Sequence, residues 1–356
     1  MRVIDIFDNG GYRSITDDML AGRLDAMTGE ILVAAIRRNG PVADKLSDNQ
    51  AIDLLTSGFG FGSRFSMPYK VRRLSKGSSP VIIHTHSIAL AEQAALIVRA
   101  WPDVEHPKIV LELPSGNLEP ASGRMRFALE GTDAIIFPTA ADRDLFLKNN
   151  PAAGRKRIDV IPPVFCGSTS RTSRTSEGFT LIWGGRLTTR CGIDELIESL
   201  GTLVAEGGPS IKLLVAGQGK AAEAVPVIRR VKQLGLGRDI EFLGDTALTP
   251  DLMAKASALV VTSASDPFSP WSTAMAKSSG LPVIMACSER NRQLVPEGGA
   301  LFYTPGDNGT GSLCNVLRLS TSNPDLSQQM SARMSASAQA HGLTDIMNLY
   351  SSLATS

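Results

Sequence analysis

Residues 211–244 read IKLLVAGQGKAAEAVPVIRRVKQLGLGRDIEFLG. An apolar run is followed by a glycine-bounded turn, a helical stretch from Ala221 to Leu234 and a second apolar run opening at Ile240. Parallel strands need a long crossover between them, so strand, turn, helix and strand in this order form one unit of a parallel sheet. The pattern continues on both sides, with FTLIW (179–183), ALVVTS (258–263) and LPVIMA (281–286) as strands and Ile193 to Glu206 as a helix. The first half repeats it in Val3 to Phe7, Glu30 to Ile36, Val81 to His84, Lys108 to Leu113, Ala134 to Phe137 and Arg157 to Pro162. A helix is expected from Ser14, where Ser14 and Asp17 are spaced as a capping box, and AADRDLFLKN (140–149) has helical spacing. Between the halves, CGSTSRTSRTSEG (166–178) holds no large apolar side chain and reads as a linker. The expected class is α/β with two doubly wound domains, 1–165 and 179–340. Residues 341–356 are expected as a helix crossing back to the first domain. Ligands should bind at the carboxyl ends of the strands, in the cleft between the domains.

The chain has 356 residues, long enough for two cores, with 36 Lys plus Arg against 35 Asp plus Glu. A net charge of +1 gives no positive field of the kind that binds nucleic acid, so nucleic acid is excluded as a partner and any anion site must be local. Cys166, Cys191, Cys287 and Cys314 form neither a metal-ligand spacing nor a dense disulfide framework. The N-terminus carries Asp5 and Asp8 where a signal peptide would be apolar. A cytoplasmic location is the expectation, with peripheral contact at the inner face of the membrane as an addition to it.

Four blocks in order, GGRLTTRCGIDELIESL (184–200), LLVAGQGK (213–220), IEFLGD (240–245) and SASDPFSPWSTAMAKSSGLPVI (263–284), resemble the family 4 glycosyltransferases. The first half resembles them more loosely, through the strand entering Asn9, Gly10 and Gly11, IHTHS (83–87) and RIDVIPP (157–163). The resemblance implies the GT-B fold, two facing Rossmann-like domains with a nucleoside diphosphate sugar in the cleft. It also implies transfer of the sugar, with retention, to a glycan, lipid-linked or small-molecule acceptor, with neither metal nor other cofactor.

Such a transfer needs fixed positive groups where charge develops on the departing diphosphate. In the family's GRLxxxKG motif an Arg and a Lys supply them; here Arg186 holds the first position and Cys191 the second, with Arg190 beside it. Gly10 and Gly11 are expected to bring backbone close to donor or phosphate. Gly217 and Gly219 are expected to border the nucleotide; read alone, GQGKAA (217–222) is also near a dinucleotide fingerprint, a weak signal by itself.

The family's two glutamates, eight residues apart, are replaced. Asp266 stands on the first position, as a donor-sugar contact or as a cap before the helix. The second falls on Ala274 or Met275, depending on the end counted from, so only Ser272 or Thr273 offers a local hydroxyl. Phe268, Ser269 and Trp271 complete the expected donor loop; Pro270 removes one amide, leaving those of Ser269, Trp271 and Ser272, and Trp271 stacks on the donor or fills the core. These departures leave a rival reading open: a homologue that binds a partner without catalysing, or an epimerase of the same fold.

In the first half, His84 and His86 share a strand face, but spacing places no third ligand, so no zinc site is expected. His86 and Glu112 are candidates on the acceptor side, with a surface ion pair as the blander fate of Glu112. The segment 64–76 carries Arg64, Lys70, Arg72, Arg73 and Lys76 with no acidic residue. It suits anionic lipid, an acidic acceptor, or plain solvent.

Overall fold

The computed structural model describes residues 1–7, 23, 30–35, 52–56, 80–99, 106–115, 123–165, 178–188, 191–217, 221–244, 246, 248–264, 266, 268–309, 311–338 and 341–355. Gly10, Gly11, Arg190, Gly219, the helix expected from Ser14, residues 166–177 of the linker and the basic segment 64–76 lie outside these residues. Two compact units are present, one holding the described residues of 1–166 together with the C-terminal helix, the other those of 167–339.

The first unit carries a seven-stranded sheet built from β1 (Arg2–Phe7), β2 (Glu30–Ala35), β3 (Ile52–Thr56), β4 (Val81–Thr85), β5 (Lys108–Glu112), β6 (Ala134–Phe137) and β7 (Arg157–Val160). Its order is β3-β2-β1-β4-β5-β6-β7, parallel throughout. Every residue of β4 and β6 is buried, which explains their unbroken apolar reading: helices cover both faces of such a sheet. Helices α1 (Ile88–Arg99) and α2 (Gly123–Gly131) pack where Leu90, Ala94, Ala95 and Ile97 meet Ile83 and Ile109. Helix α3 (Ala140–Asn149) starts at Thr139, whose hydroxyl accepts the Asp142 amide at 3.0 Å.

The second unit has six parallel strands, β8 (Phe179–Gly184), β9 (Ile211–Ala216), β10 (Ile240–Phe242), β11 (Ala258–Val261), β12 (Val283–Ala286) and β13 (Ala300–Tyr303), ordered β10-β9-β8-β11-β12-β13. Between them run α4 (Ile193–Ala205), α5 (Ala221–Gln233), α6 (Pro250–Ala254), α7 (Ser269–Ser278) and α8 (Glu289–Gln293), followed by α9 (Leu313–Ser322) and α10 (Pro324–Ala336). Leu196, Ile197, Leu200 and Leu203 of α4 pack with Trp183, Leu213 and Val215 in one core. Strands β3 and β13 are not among those expected from the sequence. Ile52–Thr56 is short and interrupted by Asp53, and Ala300–Tyr303 is an edge strand whose residues are mostly half-buried. The final helix, α11 (His341–Ala354), belongs to the first unit, where Tyr350 meets His84.

Candidate functional site

In each sheet the chain leaves the first strand in one direction and later returns to its other side. This creates a switch point between β1 and β4 and another between β8 and β11. Ligands of doubly wound sheets bind at the carboxyl ends of strands at such points.

In the second unit the loops after β8, β9 and β11 meet there. Gly217, after β9, has φ +124°, and a Cβ on it would stand 2.1 Å from the Gly185 carbonyl oxygen; only glycine allows the loops after β8 and β9 to approach this closely. Gly217 N donates to Gly244 O at 2.9 Å and Gly185 N to Ala216 O at 3.1 Å, so both loops are pinned by backbone. Arg186 follows on the outside and is exposed. Cys191, at the motif's lysine position, is half-buried; burial pushes its thiol pKa up and Thr188 Oγ1 donates to its sulfur at 3.3 Å. A neutral thiol supplies no charge, so among the described residues of this loop Arg186 is the cation.

The loop after β11 is held more tightly than its irregular sequence suggests. Asp266 Oδ1 accepts the Phe268 amide at 2.9 Å, closing a turn before α7, and burial raises the carboxyl pKa while Phe268 N and Arg290 oppose that rise. The expected row of free amides is corrected: Ser269 N donates to Asp266 O at 3.2 Å and Ser272 N to Phe268 O at 3.1 Å, because helix α7 begins at Ser269 and its first turn takes up these amides. Phe268 is half-buried, while Ser269, Trp271, Ser272 and Thr273 are buried. Ser272 Oγ donates to Ser269 O at 3.2 Å, whereas Trp271 Nε1 and Thr273 Oγ1 are buried with no hydrogen-bond partner among the described residues. Arg290 and Asn291, which no motif singled out, reach this loop from α8. Burial of an Arg cannot be read from composition, and no signal in the sequence marked them.

In the first unit the switch point is filled by a buried polar network. Asp5 on β1 sits in register with His84 on β4, so their side chains share a face, and His86 and Glu112 fall on that face two residues beyond His84 and Val110. Glu112 Oε2 lies 2.8 Å from Arg23 Nη1, 3.3 Å from His84 Nε2 and 3.2 Å from His86 Nδ1; Asp5 Oδ1 lies 2.7 Å from His86 Nε2 and Asp5 Oδ2 3.6 Å from Arg23 Nη2. Tyr350 OH meets His84 Nδ1 at 2.5 Å. The surface ion pair expected for Glu112 is therefore corrected: the residue is 5% exposed. Arg23 and Tyr350 were missed because their partners are remote in the chain, 89 residues for Arg23 with Glu112 and 266 for Tyr350 with His84.

Burial alone would raise the pKa of both carboxyl groups, but His86 beside Asp5 and Arg23 beside Glu112 pull them below their ordinary values. Burial depresses His84, which stays neutral. His86 is also opposed by burial, yet Asp5 raises it to about 9. Among the described residues two anions thus face two cations, Arg23 and His86, and the group is neutral overall. Asp5, His84 and His86 do place three ligand atoms within 4.8 Å of one another, a third ligand that spacing could not supply. A dication there would have to expel the His86 proton and sit beside a guanidinium, so the donor set fits a charge-balanced network better than a metal.

A pH dependence follows. His86 binds its proton more tightly folded than unfolded, so its contribution is complete below about pH 6.5 and lost as pH rises through about 9. His84 has the opposite sign: folding favours its neutral form, so stability rises toward about pH 6.5 from below. The depressed carboxyl groups add to the loss in acid. Melting temperature of the protein is expected to peak near pH 6.5, and His86→Gln should flatten the decline above it. An unchanged alkaline decline in that variant would exclude His86 as its source.

A family model described as glycosyl transferases group 1 matches residues 178–319, the strands and loops that hold Arg186, Gly217 and Asp266. Among solved structures, Anabaena HepE in complex with UDP and glucose is similar at 18% identity and TM-score 0.78, with all of both chains covered. The fold is GT-B. Sucrose-phosphate synthase from Thermosynechococcus elongatus (16% identity, TM-score 0.71) and the lipopolysaccharide outer core galactosyltransferase WaaB (15%, TM-score 0.67) share the GT-B fold, each with 99% of both chains covered. No curated protein matches the sequence significantly. Among the described residues of this GT-B chain, no helix is long and apolar enough to cross a membrane.

Proposed function

We propose that the protein transfers a sugar from a nucleoside diphosphate sugar to an acceptor hydroxyl, retaining the anomeric configuration as family 4 members do. The observation that carries the reading is the coincidence of the group 1 glycosyltransferase segment with the β8–β11 switch point, where Arg186 is exposed beside the Gly185–Gly217 backbone approach. The hydroxyl oxygen bonds to the anomeric carbon on the face the diphosphate leaves. The breaking C–O bond gives its electron pair to the phosphate oxygen, and the hydroxyl proton departs with it. Arg186 stabilises that developing charge. The reading calls for no metal, since the Arg186 guanidinium is taken to supply the positive charge at the departing diphosphate. HepE, whose structures hold UDP, UDP with glucose and UDP-glucose, suggests uridine as the first nucleotide to try.

A second reading, a homologue that binds a nucleotide sugar without turning it over, is favoured by one observation: the motif lysine is replaced by a neutral, half-buried thiol. A thermal-shift screen of UDP, GDP and ADP sugars tests the binding common to both, since a ligand of the folded state raises the melting temperature. At least one sugar nucleotide is expected to stabilise the protein, and release of free nucleoside diphosphate separates catalysis from binding. Arg186→Ala should weaken donor binding about tenfold or more, the scale of a charged hydrogen bond. No shift with any ligand would end both readings, and unchanged affinity in the variant would end the role of Arg186.

A further inference from the structure

We propose that Arg290 and Asn291, neighbouring residues of the short helix α8, are positioning residues that hold the loop after β11 in its binding shape. This deepens the reading above and rests on it for the identity of the ligand.

The two side chains take the loop from opposite ends. Asn291 Nδ2 donates to Ser263 O at 3.2 Å and to Ala286 O at 2.8 Å, tying the start of the loop to the end of β12. Arg290 Nη1 donates to Asp266 O at 3.0 Å and to Ser269 Oγ at 2.7 Å, where the loop enters α7. Ser269 Oγ itself donates to Asp266 O at 2.8 Å, so one carbonyl collects the Ser269 amide, the Ser269 hydroxyl and the guanidinium. Ser288 caps α8 by accepting the Asn291 amide at 3.0 Å, which sets the first turn from which both side chains project. Upstream, Thr262 Oγ1 accepts Trp183 Nε1 at 2.8 Å and is hydrogen-bonded to Cys191 O, while Tyr303 OH donates to Thr262 O at 3.2 Å.

Two features separate this arrangement from ordinary packing. Arg290 is 8% exposed and Asn291 fully buried, and taking a guanidinium and an amide out of water is costly where an apolar side chain would fill the same volume. Three of these four acceptors are backbone carbonyls, so what the pair chiefly specifies is the path of the chain. That path borders the β8–β11 switch point, where a doubly wound sheet takes its ligand, and includes Asp266. A loop already held in shape spares the ligand the entropy of ordering it.

The test combines hydrogen exchange with binding, using the full chain and Arg290→Met, Arg290→Lys and Asn291→Ala. Without ligand, amides of the 263–269 segment are expected to exchange at least tenfold faster in Arg290→Met and Asn291→Ala, with partial recovery in Arg290→Lys, whose ammonium can reach one of the two acceptors. With UDP and UDP-glucose as probes, affinity for UDP-glucose is expected to fall about tenfold more than affinity for UDP. A general loss of stability would lower both alike. Unchanged exchange in a folded variant, or an unchanged ratio of the two affinities, overturns the proposal. If the parent protein binds neither probe, the transferase reading with uridine fails while the exchange measurement still decides whether the pair holds the loop. Should Arg290→Met not fold, Asn291→Ala and Arg290→Lys give the same readouts.

Discussion

Glu112→Ala should destabilise the first unit by about 3–5 kcal/mol, the usual cost of removing one partner from a buried ion pair. Glu112 Oε2 is the point on which Arg23, His84 and His86 converge. Without it Arg23 and His86 remain buried with Asp5 as their only carboxylate among the described residues, and the protein cannot hydrate them without opening the sheet around β1, β4 and β5. A loss of that size is a large share of the ~5–15 kcal/mol that stabilises a typical domain. The effect should therefore appear as a separate early unfolding transition in calorimetry. It has an internal control: combining Glu112→Ala with Arg23→Met removes one uncompensated cation and should recover part of the loss, as expected of coupled residues. A variant that melts within one or two degrees of the parent, or a double variant that simply sums the two losses, would show that the network is not energetically linked.

Gly217→Ala is expected to cost on the order of 3 kcal/mol or more and to abolish nucleotide binding. Two penalties combine. An alanine at φ +124° is strained whatever its surroundings, and its Cβ would lie 2.1 Å from the Gly185 carbonyl oxygen, a backbone atom that cannot rotate away. Relief requires the loops after β8 and β9 to separate, which displaces Gly185 and Arg186 and breaks the bond from Gly217 N to Gly244 O. Chemical denaturation measures the first effect and thermal shift with UDP the second. Gly207→Ala has a positive φ (+64°) but open space around the added carbon, so it should show mild strain without loss of binding. Equal behaviour of the two variants would mean that the close approach at Gly217 has no consequence.

Most of the framework was legible from the chain. Strand Ala134–Phe137 and helix Ala140–Asn149 have the bounds their apolar spacing indicates, because a fully buried parallel strand and a Thr-capped helix are both local patterns. The site was legible only in part. Arg186, Gly217 and Asp266 stand on recognisable segments after β8, β9 and β11, yet two of the amides expected to be free beside Asp266 are engaged, since the start of α7 decides whether they face a ligand or close a turn.

By itself the sequence determined the two parallel sheets, the helices between them and the near-neutral charge that leaves any anion site to local groups. These depend on periodicity and composition, which are properties of neighbours in the chain. Only the tertiary structure decided that Asp5, Arg23, His84, His86, Glu112 and Tyr350 form one buried, charge-balanced group, and that Arg290 and Asn291 reach the loop after β11. Charge balance and burial are set by which strands lie side by side, and that adjacency joins residues far apart along the chain.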